Sequence, residues 1–295
     1  MSVRRRADDA FNRLPPSVRR TVLHGLGRYA PWEPEFDFTP PTPGPGQRAG
    51  PPEFVGIGVQ KSGTTWWYEL VANHPDVWSP PGIHKERHFF DRFAAEPFVP
   101  IDAERYQGWF PRPDGMICGE WTPDYFTQPW VPPLLQRAAP GARLLILLRD
   151  PVERFRSGLA HDQRMGTRRG TQSTADAVQR GFYFRALTSW LEYFHPDQIL
   201  VLQYERCVLD PVGQYRATTQ FLDLAEFDPP ALDQAGRPRS STPGGLASDV
   251  RQRLQATYES DVKSLATLVP DLDLSLWPNF ASLADLQSNS PTPRT

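Results

Sequence analysis

The sequence has 295 residues, which is enough for one α/β domain with appendages and a sizeable core. Its 32 basic and 34 acidic residues give a formal net charge of -2, which argues against general nucleic-acid binding. Two cysteines, Cys118 and Cys207, form neither a C-x-x-C pair nor a disulfide framework, so we expect a reducing compartment. No apolar run is long enough to span a bilayer and no signal peptide is visible, so we expect a soluble cytoplasmic protein.

The first 52 residues are predicted to be an N-terminal arm and a linker. Apolar residues at helical spacing predict a short amphipathic helix within residues 13–30; they are Val22, Leu23, Leu26 and Tyr29. We interpret this helix as a packing arm, with a membrane or partner contact as the alternative. Residues 39–52 are rich in proline and glycine and predict a linker. The main domain is predicted to span residues 53–284, followed by a disordered tail at 285–295.

A strand–loop–helix unit opens the main domain. Residues 54–59 are apolar and contain glycines, which predicts a buried strand, and a helical pattern begins at Thr64. The polar turn between them, residues 60–63, precedes helical N–H groups that lack partners and carry partial positive charge. Together with Lys61, these groups predict an anion site. The alternative is an ordinary strand-to-helix turn with a surface lysine. The turn is not a Walker A loop, because Lys61 precedes Gly63.

Strands and helices alternate along the rest of the chain. Further strands are predicted at residues 116–119, 143–148 and 199–202, and helices at 182–194, 211–222 and 250–268, with loops at 161–175 and 229–245. This alternation predicts a P-loop-like, three-layer α/β fold with a mostly parallel central sheet and helices on both faces.

A second candidate anion site follows the strand at residues 143–148. Arg149 ends that strand, and Ser157 lies inside the next predicted helix, which starts at Pro151. If the chain turns sharply here, both side chains face the carboxyl end of the strand, where open α/β sheets bind ligands. A guanidinium and a hydroxyl suit a phosphate monoester. The alternative is an ion pair of Arg149 with Asp150 or Glu153 beside a solvated serine.

Taken together, the two sites resemble those of a known family. Lys-Ser-Gly-Thr-Thr at residues 61–65 resembles the 5′-phosphosulfate loop of the sulfotransferases that use 3′-phosphoadenosine-5′-phosphosulfate (PAPS). Residues 149–158, Arg-Asp-Pro-Val-Glu-Arg-Phe-Arg-Ser-Gly, resemble the family's 3′-phosphate motif. Residues 85–91 and 119–126 resemble the catalytic segment and the next block of its heparan-sulfate-type branch. The chain is similar to bacterial members of this family.

The resemblance implies a sulfotransferase of the EC 2.8.2 type, with PAPS as donor, 3′,5′-adenosine diphosphate (PAP) as product and no metal. The implied acceptor is a hydroxyl of a small molecule, namely a carbohydrate, a glycoside or a lipid-like compound. Lys61 is implied to bridge the leaving phosphate and the transferring group, and Glu86 is implied to be the general base, supported by His88 and Asp91. The implied nucleotide-binding residues are Gln60, Lys61, Ser62, Gly63, Thr64, Thr65, Trp66, Arg149 and Ser157, with Arg237 and Arg239 as candidates for a further 3′-phosphate contact.

One position departs from the branch. Trp121 stands where the branch usually has a lysine, so a cation near the sulfuryl group is missing. Lys85 or Arg87 is a candidate replacement, and Trp121 is a candidate for lining the acceptor pocket. We therefore predict acceptor contacts by Lys85, Asp91 and Trp121.

Other readings stay open at this point. A P-loop kinase or ATPase would use Asp150 as its magnesium carboxylate, although the order of Lys61 and Gly63 argues against it. A non-catalytic binder of 3′-phosphorylated adenine nucleotides, or a scaffold, would not need Glu86 beside His88. A zinc site at His84 and His88 would require a helix, since the two are four residues apart. The sequence does not predict the oligomeric state.

Overall fold

The computed structural model describes residues 11, 14–33, 35–164, 170–228 and 245–284. The chain divides into two compact units, residues 1–39 and 40–295. In the smaller unit, the helix predicted within residues 13–30 is present as α1 (Pro16–Gly25). The predicted tail at 285–295 lies outside the described residues, and the division into arm, linker and main domain stays a prediction.

The larger unit begins with the proline- and glycine-rich segment. Its strand β1 (Gln47–Arg48) pairs antiparallel with β3 (Arg112–Pro113). Arg112 is buried and donates from Nη2 to the carbonyl oxygen of Pro51 at 2.9 Å. These contacts tie the segment to the larger unit just before the central sheet starts.

Among the residues that the structure describes, the central sheet has four strands, and all of its pairings are parallel. The strands are β2 (Phe54–Gly58), β4 (Gly119–Trp121), β5 (Arg143–Leu148) and β6 (Ile199–Gln203), in the spatial order β4-β2-β5-β6. The predicted α/β class with a parallel central sheet is confirmed.

Helices fill the connections between these strands, and further helices follow β6. They are α2 (Thr64–Ala72), α3 (Pro100–Gly108), α4 (Val131–Ala138), α5 (Pro151–Arg164), α6 (Thr171–Gln179), α7 (Tyr183–Leu191), α8 (Tyr204–Leu209), α9 (Pro211–Phe221) and α10 (Ser248–Leu268).

The strand order reverses direction between β2 and β5. After β2 the chain crosses through α2 to β4 on one side, and after β5 it crosses through α5 to β6 on the other. Because such crossovers are right-handed, α2 and α5 cover opposite faces of the sheet. A crevice therefore opens between the carboxyl ends of β2 and β5, where sheets of this kind bind ligands.

The core lies on both faces of the sheet. Side chains of β5 alternate between the faces, and Leu144 to Leu148 are all fully buried. On one face, Trp67 of α2 packs in a cluster with Leu145 and Tyr215, and its Nε1 donates to Thr218 Oγ1 of α9 at 3.1 Å. The continuous apolar run of β5 is explained by this two-sided burial.

Two elements differ from the sequence predictions. The strand predicted at 116–119 begins at Gly119, so Glu120 and Trp121 lie within it. The loop predicted at 161–175 contains the end of α5 and the start of α6. The α6 segment is polar over most of its surface and buries Ala177 on one side, so its composition indicated a loop.

Two further features bear on the expectations from composition. Cys118 and Cys207 are both free thiols and both are buried. In the described part of the chain, none of the helices combines the length and the apolar character needed to cross a bilayer. The cytoplasmic location stays a prediction.

Candidate functional site

The loop between β2 and α2 turns on two residues with positive φ. Lys61 has φ +71°, and Gly63, which precedes the helix, has φ +87°. Glycine adopts this left-handed conformation at little cost, whereas lysine rarely does. Across the described residues, no side chain caps the start of α2. Its first N–H groups are therefore available to a ligand that accepts hydrogen bonds.

Ser62, in the middle of this loop, is fully buried. Its hydroxyl has no hydrogen-bond partner in the described part of the chain, and neither does the buried Nε1 of Trp66. A buried polar atom without a partner costs about 1–3 kcal/mol. The orphaned donors beside the start of α2 indicate that the loop is completed by a bound acceptor group.

The glycines of β2 make room for aromatic side chains. A Cβ at Gly56 would lie 2.0 Å from Cδ2 of Trp121, and one at Gly58 would lie 2.8 Å from Cβ of Phe126. Trp121 is fully buried and donates from Nε1 to the carbonyl oxygen of Gly58 at 3.1 Å. Its position corrects the predicted acceptor contact, because Trp121 fills the core between β2 and β4 rather than an open surface.

Arg149 joins the two predicted anion sites. From the end of β5 its Nη1 donates to the carbonyl oxygen of Lys61 at 3.2 Å, and its guanidinium lies 4.7 Å from the ring centroid of Tyr204. Its Nε is buried without a partner among the described residues. Ser157 lies on α5, half-buried, and Tyr183 fixes the backbone by donating from its hydroxyl to the Arg149 carbonyl at 2.9 Å. The crevice between β2 and β5 thus carries a cation whose donors are only partly used.

Asp150 is a structural carboxylate. It is fully buried and accepts from the backbone N–H groups of Val152 and Glu153 at the start of α5. It also accepts from the backbone and side-chain nitrogens of Asn279, each at 2.9 Å. The Asp150 N–H donates to Glu205, whose pKa burial raises to about 7. These contacts occupy both oxygens of Asp150 and hold the strand end that carries Arg149.

A chain of charged side chains occupies residues 85–91. Lys85 Nζ lies 2.6 Å from Oε1 of Glu86, and Oε2 of Glu86 lies 3.3 Å from Nε2 of His88. Nδ1 of His88 lies 2.7 Å from Oδ2 of Asp91. His88 therefore sits between two carboxylates, in a backbone conformation with φ +49°.

The pKa values of this chain follow from its pairings. Burial by itself raises the pKa of Glu86, but the hydrogen bond from His88 and the charge of Lys85 lower it to about 2. Burial by itself lowers the pKa of His88, but its bonds to Asp91 and Glu86 raise it to about 10. At neutral pH the segment thus contains an ionised glutamate held between a lysine and a protonated histidine.

The charged segment is held by residues that sequence reasoning missed. Glu120 is fully buried in β4 and accepts hydrogen bonds from the Tyr106 hydroxyl at 2.7 Å and the Thr122 hydroxyl at 2.6 Å. The N–H of Arg87 donates to both Glu120 and Thr122, and the N–H of His88 donates to Thr122. In the sequence, Glu120 directly follows the predicted strand at residues 116–119 and was assigned only to the block that resembles the heparan-sulfate-type branch.

Of the two candidate replacement cations, Lys85 has the suitable position. Its Nζ lies 3.4 Å from the carbonyl oxygen of Trp121 and contacts Glu86. The guanidinium of Arg87 is instead buried, stacked 5.7 Å from the ring of Trp109 and 5.5 Å from that of Phe110. Arg87 is therefore a packing residue, and Lys85 is the cation next to the candidate base.

The loop at residues 60–63, Arg149 and the charged segment at residues 85–91 lie at the same edge of the sheet. The N–H of Trp121 donates to the carbonyl oxygen of Lys85 at 2.9 Å, which places the charged segment at the carboxyl end of β4. β4 neighbours β2, and β2 neighbours β5. A cavity of about 210 Å³ beside the loop is lined by Gln60, Lys61, Phe155 and Gly158, among others.

The sequence matches a known family model. The model described as "Sulfotransferase domain" matches residues 51–233. The chain belongs to the sulfotransferase domain family. This confirms the recognition made from the two phosphate motifs, and it leaves the kinase and ATPase reading without support, since the Asp150 oxygens are also occupied.

Two mouse proteins illustrate the relationship. Heparan sulfate glucosamine 3-O-sulfotransferase 6 of Mus musculus is 33% identical over 199 residues, which cover 63% of this chain and 56% of that protein. Heparan sulfate glucosamine 3-O-sulfotransferase 3A1 of Mus musculus is 31% identical over 188 residues, covering 59% and 46%. This sulfotransferase chain spans about half the length of the curated relatives it matches.

A solved structure agrees with the fold. The sulfotransferase from Alicyclobacillus acidocaldarius superposes with a TM-score of 0.62 at 24% identity, covering 77% of this chain and 98% of that one. The likeness supports the sulfotransferase fold described above.

Some predicted site features fall elsewhere. Arg237 and Arg239 lie outside the described residues. Residues 84–88 are not helical, so the spacing of His84 and His88 does not suit zinc, and His84 Nδ1 accepts from the N–H of Glu86 at 3.1 Å. No cluster of three or more metal-ligating side chains occurs in the ranges that the structure describes.

Proposed function

We propose that this sulfotransferase-family protein transfers a sulfuryl group from PAPS to a hydroxyl of a carbohydrate or a related small molecule. The observation that carries the proposal is the 3.2 Å contact between Nη1 of Arg149 and the carbonyl oxygen of Lys61. It joins the two predicted phosphate sites in the crevice between β2 and β5. The carbohydrate acceptor is supported by the relatives, whose names describe sulfation of heparan sulfate glucosamine.

The residues present fit a nucleotide with phosphates at both ends. Ser62 Oγ and Trp66 Nε1 near one site, and Arg149 Nε at the other, are buried donors without partners among the described residues. Residues 60–65 would hold the 5′-phosphosulfate, and Arg149 with Ser157 would hold the 3′-phosphate. When bound, PAPS supplies the sulfuryl group and leaves as PAP.

Lys61 and the start of α2 would stabilise the charge that develops on the leaving oxygen. Both are positive, and the start of α2 and the Lys61 backbone, whose carbonyl oxygen accepts from Arg149, are in place before reaction. The loop also holds the donor in line with the acceptor, and this positioning is the other main contribution in group transfer.

Glu86 would accept the proton of the acceptor hydroxyl. Its pKa of about 2 makes it a weak base, so proton transfer follows as the new oxygen–sulfur bond forms and makes the hydroxyl acidic. His88 holds Glu86 in place from one side, and Lys85 contributes positive charge from the other. We propose acceptor contacts by Lys85 and Asp91, and no longer by Trp121.

The proposal is tested by transfer of radiolabelled sulfate from PAPS to a panel of carbohydrate and glycoside acceptors. Glu86→Gln should lower turnover by about 10²–10⁴-fold, because general base catalysis contributes that much. PAP affinity should be unchanged, since Glu86 lies outside the phosphate sites. Glu96→Gln, an exposed glutamate five residues after Asp91, serves as the matched control and should be neutral. Unchanged turnover in Glu86→Gln would contradict the proposed base.

A further inference from the structure

The smaller unit contains a helix whose apolar side is exposed. Four apolar residues recur every fourth position along and beside α1, and each is substantially exposed: Leu14 (38%), Val18 (44%), Val22 (41%) and Leu26 (68%). Val18 and Val22, spaced by four, lie along one side of α1, whereas Leu14 precedes the helix and Leu26 follows its last residue. The four residues are named here the apolar stripe. Trp32, in the same unit, is also 56% exposed.

The other side of α1 carries the contacts within the unit. Glu33 is only 7% exposed, and its Oε2 lies 2.7 Å from Nε2 of His24. Its Oε1 lies 3.3 Å from Nε of Arg20, and its Oε2 also accepts from the N–H of Ala30 at 3.1 Å. Within the unit, the half-buried Leu23 and His24 lie on the more shielded side of α1, whereas the apolar stripe is exposed. The interpretation of α1 as a packing arm stays a prediction.

The charge of this segment has one sign. Residues 10–32 contain four arginines and neither aspartate nor glutamate; the arginines are Arg13, Arg19, Arg20 and Arg28. A helix with an exposed apolar stripe and an arginine-rich remainder is typical of segments that lie in the interface of an anionic bilayer. Tryptophan is favoured at the same depth.

A second copy of the chain is a poorer occupant of the stripe. Pairing two copies of α1 through their stripes would bring arginines of equal sign together, and such contacts are repulsive. Anionic lipid headgroups would instead neutralise the arginines, and each arginine near the surface would raise the affinity for the membrane about fivefold.

We propose that α1 binds the surface of a membrane that contains anionic lipids, with the apolar stripe among the acyl chains and the arginines at the headgroups. Binding is reversible, because a ten-residue helix buries little apolar area. The helix would hold the larger unit near acceptors at that surface.

The test is co-sedimentation of the full chain with vesicles of phosphatidylglycerol and phosphatidylcholine in equal amounts, and with vesicles of phosphatidylcholine alone. We expect binding to the first and much weaker binding to the second. Val18→Gln, Val22→Gln and Leu26→Gln together should weaken binding by about tenfold or more, while glutamine preserves the helix. Ile101→Gln with Leu209→Gln, which alters two exposed apolar residues of the larger unit, is the matched control and should bind as the parent does.

A second variant tests the charge separately. Arg19→Gln with Arg28→Gln should weaken binding to the anionic vesicles about fivefold for each residue, and added salt should do the same. Equal binding of the parent and the stripe variant, or equal binding to both vesicle types, would overturn the proposal. A third result would also overturn it: no vesicle binding, together with a dimer in sedimentation equilibrium that the stripe variant abolishes. A second copy of the chain would then cover the stripe.

Discussion

The proposed donor side and the proposed acceptor side of the site are built differently. The donor side, residues 59–63 with Arg149, retains buried donors without partners in the described chain. The acceptor side, residues 84–91, bonds its lysine, glutamate and histidine to one another. The comparison indicates that the proposed donor side is open to a bound anion, whereas the charged side chains of the proposed acceptor side are already paired with one another.

The two sides also differ in how they are supported. On the proposed donor side, the loop at residues 59–63 is formed by neighbouring residues of one strand end and one helix start, and only Arg149 comes from a distant strand. The proposed acceptor side depends on Glu120 and Thr122, which lie 33 and 35 residues after Arg87 in the sequence. Mutations should therefore separate donor binding from the arrangement of the acceptor side.

On the proposed donor side, the largest effect is expected from Lys61→Ala. Removing a preorganised positive group at a developing charge typically lowers turnover by about 10²–10³-fold. Steady-state kinetics of sulfuryl transfer would measure it. Lys263→Ala, which removes an exposed lysine on α10, should leave turnover unchanged. A loss that appears only in KM for the acceptor would conflict with the role given to Lys61.

The next effect concerns the second phosphate site. Arg149→Lys keeps the charge but loses the forked donors, so PAP affinity should fall by about tenfold to a hundredfold, the range for hydrogen bonds to charged groups. Calorimetric titration with PAP would measure the change. Arg143→Lys, at the opposite end of β5, is the matched control. Equal affinity in both variants would remove Arg149 from the 3′-phosphate site.

A smaller effect is expected from Thr122→Val on the acceptor side. The substitution leaves the N–H groups of Arg87 and His88 and an oxygen of Glu120 without this partner, so unfolding free energy should fall by about 1–3 kcal/mol. Turnover should fall while PAP affinity is retained. Urea unfolding and calorimetry measure the two quantities, with the exposed Thr188→Val as control. A loss of PAP affinity would show that the two sides are not independent.

The smallest effect is on pH dependence. Glu86 is ionised above about pH 2 and His88 is protonated below about pH 10, so turnover should be flat from about pH 4 to pH 8. The contribution of His88 to the free energy of unfolding is complete below pH 6.5 and is lost as the pH rises through about 10. The contribution of Glu86 is complete above pH 4.5 and is lost as the pH falls through about 2. An inflection near pH 6.5 in the turnover profile of the parent would show that these pairings are absent in solution. The same inflection in the control His195→Gln would show that it does not come from His195.

The sequence predicted the strand and the helix start that carry the proposed donor side, because their signals are local. The apolar run of β5 gave the strand at residues 143–148, and Lys61 to Thr65 gave the loop and the start of α2. The sequence predicted that Arg149 and Lys61 lie at the same edge of a parallel sheet, but not that Arg149 contacts the Lys61 carbonyl. Its distance depends on the strand order, which the sequence did not specify.

The acceptor side was predicted only in its charged members. Glu86 and His88 were recognised, but the buried support by Glu120, Thr122 and Tyr106 depends on pairing between β4 and a loop distant in sequence. Trp121 was assigned to the acceptor because the sequence does not reveal tertiary contacts, such as the packing of Trp121 against Gly56. The exposure of the apolar stripe on α1 was likewise invisible to periodicity, which identifies an apolar side but not what covers it.

The central claim, that the crevice between β2 and β5 binds a 3′,5′-phosphorylated adenine nucleotide, is tested most directly by thermal stabilisation. PAP at 100 times its dissociation constant should raise the unfolding free energy by about 2.7 kcal/mol, and ATP with magnesium should produce no comparable shift. That result would support the donor site and direct the next experiments to the acceptor. A shift with ATP and magnesium but none with PAP would contradict the account.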